Sequence, residues 1–185
     1  MVVPGRDQAM ALLDSLGLPE GIVTHSKGVA RVAAEAARII SAAGVPIDVR
    51  LVEAAALLHD IDKLETRNGG GQHGQVAADR LIEMGHAELA APVASHPVTC
   101  LLDDRCFPRG WPSVILSIAD RHVAQAFLTI DERIDDMQQR HPEYVDSLEA
   151  ARRPAALLEA ELCEAAGMKA DALVQRLRSA WDAGA

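Results

Sequence analysis

Apolar residues in this chain return at steps of three and four and nowhere in a sustained alternation of two, which leaves helix-on-helix packing as the way to bury them. The clearest run is GIVTHSKGVARVAAEAARIISAAG. There Val29, Val32, Ala33, Ala36, Ile39 and Ile40 mark one stripe of a long helix, and Gly44 and Pro46 end it. Composition points the same way: the 49% apolar fraction is rich in Ala, Leu, Val and Ile while aromatics are only 3%, which suits close helix contacts better than a sheet sandwich. At 185 residues the chain is long enough for one substantial core. We expect an all-α, single-domain helical bundle over 1–185.

The remaining segments fill in the bundle. RDQAMALLDSLG reads as a short amphipathic opener stopped by Gly17, and LPEGIVTH leads into the long helix with His25 in its first turn. A helix from Val49 to about Lys63 follows, with Val52, Ala55, Ala56 and His59 on one face. The run ETRNGGGQ, with three successive glycines, reads as a mobile connector; no strand precedes it, so it is not a phosphate loop. Helices are expected at about 73–83, 87–95 and 113–127, the last two separated by the irregular stretch HPVTCLLDDRCFPRGWP. TIDERIDDMQQRHP opens with a capping box, Thr129 with Glu132, and breaks at Pro142. Two amphipathic helices at about 154–166 and 171–181 close the chain. They read as a structural appendage (129–185) packed on a core of about 20–130, with a charge alternation that would also suit a homodimer contact.

Chemistry concentrates where the second long helix ends, in VEAAALLHDIDK. His59 and Asp60 set an imidazole beside a carboxylate, both good ligands for a divalent cation. Neighbouring helical residues point about 100° apart, so other elements must complete the shell of one ion. Ligand-type residues elsewhere in the chain are His25, His73, His96 and Asp120, each near the end of an expected helix. The pair alone also fits a helix-terminal histidine beside a solvated aspartate.

In order and context these residues resemble the HD-domain superfamily of metal-dependent phosphohydrolases, over most of the chain from about His25 to the 130s. His25 with SKGVARVA is similar to the first-histidine helix, LLHDIDK to the HD helix end, and ILSIAD to the helix that returns the final aspartate. His73 and His96 are similar to the two further histidines of members that hold two metals. The resemblance implies an HD-type bundle in which His25, His59, Asp60 and Asp120 hold one divalent ion, and His73 and His96 hold a second bridged by Asp60. Ligand chemistry admits Mn, Fe, Co, Ni, Zn or Mg, and the histidines lean toward transition metals. The resemblance implies hydrolysis of a small phosphorylated substrate, a phosphoester or phosphoanhydride such as a nucleotide, through an acidified bound water with Asp60 and Lys63 as catalytic groups. Lys63 and Arg121 are the expected substrate contacts, with Arg133 a further candidate; Lys63 also reads as an ordinary lysine at a helix C-terminus. Layout is nearest to small standalone bacterial members, including the dinucleoside tetraphosphate hydrolases. A GYP-type signature and an HDxxED pattern are absent, which disfavours cyclic dinucleotide and alarmone hydrolysis. The rival expectation is a non-catalytic metal or nucleotide sensor that keeps the pocket.

Other features narrow the class. A formal charge of −9 argues against a nucleic-acid polymer as partner, because phosphate-backbone binding rests on clustered Lys and Arg. Cys100, Cys106 and Cys163 form no CxxC pair and leave one cysteine over in any disulfide scheme, which favours a reducing cytoplasm. The opening MVVPGRDQAM has no basic region followed by an apolar core, and no run approaches a membrane span. His86, His122 and His141 read as surface or capping histidines, Asp62 as a solvent-facing carboxylate or, alternatively, a group in the outer shell of the site, and Asp103-Asp104 as a solvated turn.

Overall fold

Helix punctuation in the sequence becomes the architecture. In the computed structural model, which describes residues 3–184, α1 (Arg6–Ser15) stops before Gly17 and α2 (Glu20–Ala42) before Gly44, both glycines at positive φ. Asp48 caps α3 (Val49–Leu58) by accepting from the amides of Arg50 and Leu51. Next come α4 (Lys63–Arg67), α5 (Gln75–Glu83) and a 3-10 turn at Ala87–Leu89 leading into α6 (Ala90–Ser95). A second 3-10 turn, Val98–Leu102, precedes α7 (Trp111–His122). The chain ends with α8 (Ile130–Arg140), a 3-10 turn at Pro142–Tyr144, α9 (Val145–Ala166) and α10 (Ala170–Asp182). Among the described residues no strand forms; Val123 and Phe127 make one isolated antiparallel bridge. No described helix is long and apolar enough to cross a membrane.

The bundle is all-α. Its middle is α2 packed on α3 and α7, with α6 bracing α7 and α10 lying along α2. On α2 the predicted stripe is buried, and the neighbouring alanines with it. Gly28 marks a close approach on that helix: a Cβ there would lie 3.1 Å from Val123 and 3.2 Å from the Trp181 indole of α10. Every residue of α3 from Val52 to Leu58 is buried, including Glu53, which pairs with Arg6.

Several boundaries differ from the sequence reading. His25 stands in the second turn of α2, because the helix begins at Glu20. α3 stops at Leu58, and His59 to Asp62 form a turn before a separate short helix starts at Lys63. α7 stops at His122, since Val123 turns extended and the Leu128 amide folds back onto the His122 carbonyl. α9 begins nine residues before Pro154 and carries that proline inside it. Its Leu148, Ala151, Ala155, Leu158 and Leu162 join the same apolar cluster as α2, α3 and α7, as do Leu173 and Leu177 of α10. The closing helices thus pack on the bundle through the shared core. Cys100 and Cys106 are joined in a disulfide with their Cα atoms 5.1 Å apart, while Cys163 is free and buried. That pairing removes the cysteine argument for a reducing compartment.

Candidate metal centre

The turn at the end of α3 puts two polar side chains where a helix would have continued its apolar stripe. His59 is fully buried and Asp60 is 1% exposed, yet neither His59 Nε2 nor Asp60 Oδ1 has a hydrogen-bond partner. An unpartnered buried acceptor costs about 1–3 kcal/mol. Two of them side by side mark a place built for something that binds lone pairs.

The other ligand-type residues converge there. From α2, His25 Nε2 lies 3.0 Å from Asp120 Oδ1 of α7 and 3.7 Å from Asp60 Oδ2. His59 Nε2 is 3.5 Å from Asp60 Oδ1 and 3.6 Å from Asp120 Oδ1. On the other side of Asp60, Oδ1 is 3.3 Å from His73 Nε2 and 3.7 Å from His96 Nε2, and those two nitrogens are 3.1 Å apart. Donor atoms of His25, His59 and Asp120 fall within 4.8 Å of one another, and so do those of His59, Asp60 and His96. The structure thus brings together all six residues singled out in the sequence, with Asp60 between two groups.

Backbone and carboxylate acceptors fix the rings. Nδ1 of His59 donates to the Ala56 carbonyl at 2.8 Å and Nδ1 of His96 to the Val93 carbonyl at 2.6 Å, so both turn Nε2 inward. His73 is oriented by Asp62, whose Oδ1 is 2.8 Å from Nδ1. Asp62 is fully buried and also accepts from the amides of Gly74 and Ala77, at 2.7 and 3.1 Å, so it anchors the start of α5. The solvent-facing reading of Asp62 is corrected. The missed signal was its place two residues after Asp60 on the same turn.

Electrostatics follow from burial and charge. Burial raises the Asp60 carboxyl, but His59, Lys63 and the flanking imidazoles overcome it and hold the group well below the usual range. Asp120 is likewise held well below it, burial being outweighed by His25 and His59. Burial pulls His73 down, yet the Asp60 and Asp62 carboxylates beside it carry it up to about 9; in His96 burial dominates and the ring falls to about 4. Anionic carboxylates among inward-facing imidazole nitrogens are the donor set a divalent cation takes, so the residues fit the implied metal.

Lys63 opens α4 and places Nζ 2.5 Å from Asp60 Oδ2. It also lines both cavities that open on the site. One, of about 600 Å³, includes His25 and Asp60; the other, of about 320 Å³, includes His73, His96 and Asp120. Their common wall is Lys63, Arg67, Arg133 and Arg140. Arg67 and Arg140 were not singled out in the sequence, which put Arg67 in the glycine-rich connector; the structure sets each in the last turn of a helix, α4 and α8. Arg121 is 2% exposed and donates to the carbonyls of Ser117 and His96, the latter at 2.9 Å. The structure places it against His96, whose backbone it positions, and on the wall of the smaller cavity.

The remaining histidines separate. His122 is fully buried, stacked on Phe127 at 5.0 Å and joined to the Leu128 carbonyl and the Glu159 carboxylate, so the surface reading is corrected. His86 is half-buried; His141 is exposed and lines the smaller cavity. The family model described as HD domain matches residues 22–124, from the first turn of α2 to just past α7. No curated protein and no solved structure matches the chain.

Proposed function

Because the chain belongs to the HD-domain family, we propose that it is a metal-dependent phosphohydrolase that cleaves a phosphoester or phosphoanhydride, in a nucleotide. The observation that carries the reading is the convergence of His59, Asp60, His73 and His96 atoms, two of them buried without partners, where two cavities with a common cationic wall meet Asp60 on one side and His73 and His96 on the other. His25, His59, Asp60 and Asp120 would hold one divalent ion, and His73 and His96 with Asp60 a second. When bound, such ions acidify a water molecule and neutralise charge on a phosphoryl group.

The chain's own groups do the rest. Lys63 is anchored on Asp60 and faces the cavity, so its ammonium meets a phosphate oxygen from the same side as the ligands. Arg67, Arg133 and Arg140 counter the anionic substrate in a chain of net charge −9. Arg121 holds the His96 backbone, and Asp62 fixes the His73 ring.

Elemental analysis of protein purified without chelator, followed by a screen of phosphorylated metabolites with added Mn, tests this. We expect near two equivalents of metal per chain, near one in His96→Ala, and loss of both metal and hydrolysis in Asp60→Ala. Protein that takes up no metal after incubation with Mn, Fe or Zn would sink the proposal. A metal-loaded protein inert toward the whole panel would make the site a sensor.

A further inference from the structure

Past the basic wall the cavity changes character. Val98, Thr99, Met137 and His141 line both the metal-side cavity and a third one of about 260 Å³, so the two spaces adjoin. The third is closed by Leu102, Tyr144, Ser147 and Leu148 and is almost entirely apolar. Tyr144 is 57% exposed and Leu102 46%, and the rings of Tyr144 and His141 lie 6.2 Å apart. A large aromatic and a leucine left open to water on the lip of a pocket are unpartnered apolar surface beside a highly polar site. All but three of the residues lining this third cavity come from α8, the turn after it and α9, beyond the residues that match the family.

We propose that this pocket holds the base of a nucleotide whose phosphates lie along Arg133 and Arg140 toward the metal centre. The inference rests on the phosphohydrolase reading and names the substrate's other end. A cation wall joined to an apolar, aromatic-lipped pocket complements a molecule that is anionic at one end and planar and apolar at the other. Occupants of one chemistry throughout, such as inorganic polyphosphate or a lipid chain, leave one half of the space unmatched. Polar groups in the pocket are few, chiefly Thr99, Ser147, His141 and the Tyr144 hydroxyl, so the base is held by stacking and shape with weak discrimination among bases.

Calorimetric titration of the metal-loaded protein with α,β-methylene adenosine diphosphate and with methylenediphosphonate separates the two ends, since both carry the same phosphonate pair and only one has a nucleoside. We expect the nucleoside form to bind at least tenfold tighter, and that advantage to fall below threefold in Tyr144→Ala and in Leu102→Ala. Both side chains are exposed enough for the variants to keep the fold, which their melting curves would verify. Equal affinities, or an advantage that survives in both variants, would overturn the pocket assignment. Should Mn-dependent hydrolysis of phosphoesters persist alongside equal affinities, only this inference falls; protein that binds no metal removes the proposed function itself.

Discussion

Asp60 is asked to stay ionised in a place where burial alone would protonate it. His59, Lys63 and the imidazoles on either side make that possible, and the same arrangement leaves its Oδ1 without a hydrogen bond. Lys63 opens on both cavities, with a side chain 28% exposed, and is not among the groups that would hold the metal. Lys63→Ala should therefore leave metal content intact and lower turnover more than tenfold, equivalent to about 1.4 kcal/mol of transition-state stabilisation; unchanged kinetics would reduce it to a helix-end charge. Asp62 has a double task, which two substitutions separate. Asp62→Ala orphans the buried amides of Gly74 and Ala77, at about 1–3 kcal/mol each, and frees the His73 ring. Asp62→Asn keeps an oxygen for the amides but no longer offers His73 a carboxylate. Denaturant melts should show a large loss for Ala and a small one for Asn. Competition titrations should show metal affinity down about 10–100-fold in both. Equal stability of wild type and Asp62→Ala would contradict the anchoring role.

At the scale of elements, Pro154 is the local contradiction in α9. It lacks an amide to give the Ala150 carbonyl, and a proline inside a helix costs about 3 kcal/mol relative to alanine. Pro154→Ala should raise the unfolding midpoint with no change in metal content; a lower midpoint would mean the proline serves packing that alanine cannot. The same proline hid the first half of α9 from the sequence, because it reads as a helix start. The break after Leu58 was hidden for the opposite reason: HDIDK continues a helical pattern, and what ends it is the tertiary demand that Asp60 and Asp62 face different partners. Local signals with local causes were legible, such as the stripe on α2 and the Thr129–Glu132 capping box. The burial of Arg121 and His122, the Cys100–Cys106 bridge and the wall contributed by Arg67 and Arg140 depend on which helices meet, and no spacing announces them.

For the whole molecule, the residues that resemble the family are not the whole of what folds. Helix α10 lies on α2 at Gly28 through Trp181, pairs Arg176 with Glu35 at 2.7 Å, and sets the Arg178 guanidinium 4.8 Å over Phe127 while donating to the Phe127 carbonyl. Phe127 in turn stacks on His122 and ends the segment Val123–Phe127, whose Ala124, Gln125 and Ala126 line the larger cavity. The last helix thus braces a wall of the site without touching a ligand. Removing residues 170–185 deletes the fully buried Leu173 and Leu177. At about 1.5–3 kcal/mol per buried leucine, that is roughly 3–6 kcal/mol in a domain whose total stability is on the order of 5–15 kcal/mol. The shortened protein should melt at a much lower temperature. In the cold, where it stays folded, amide exchange should quicken at residues 123–128 before it quickens in α3. A shortened protein with the midpoint and exchange pattern of the full chain would show that α10 merely decorates the bundle, and that the wall around the metal centre stands on α7 and α8 alone.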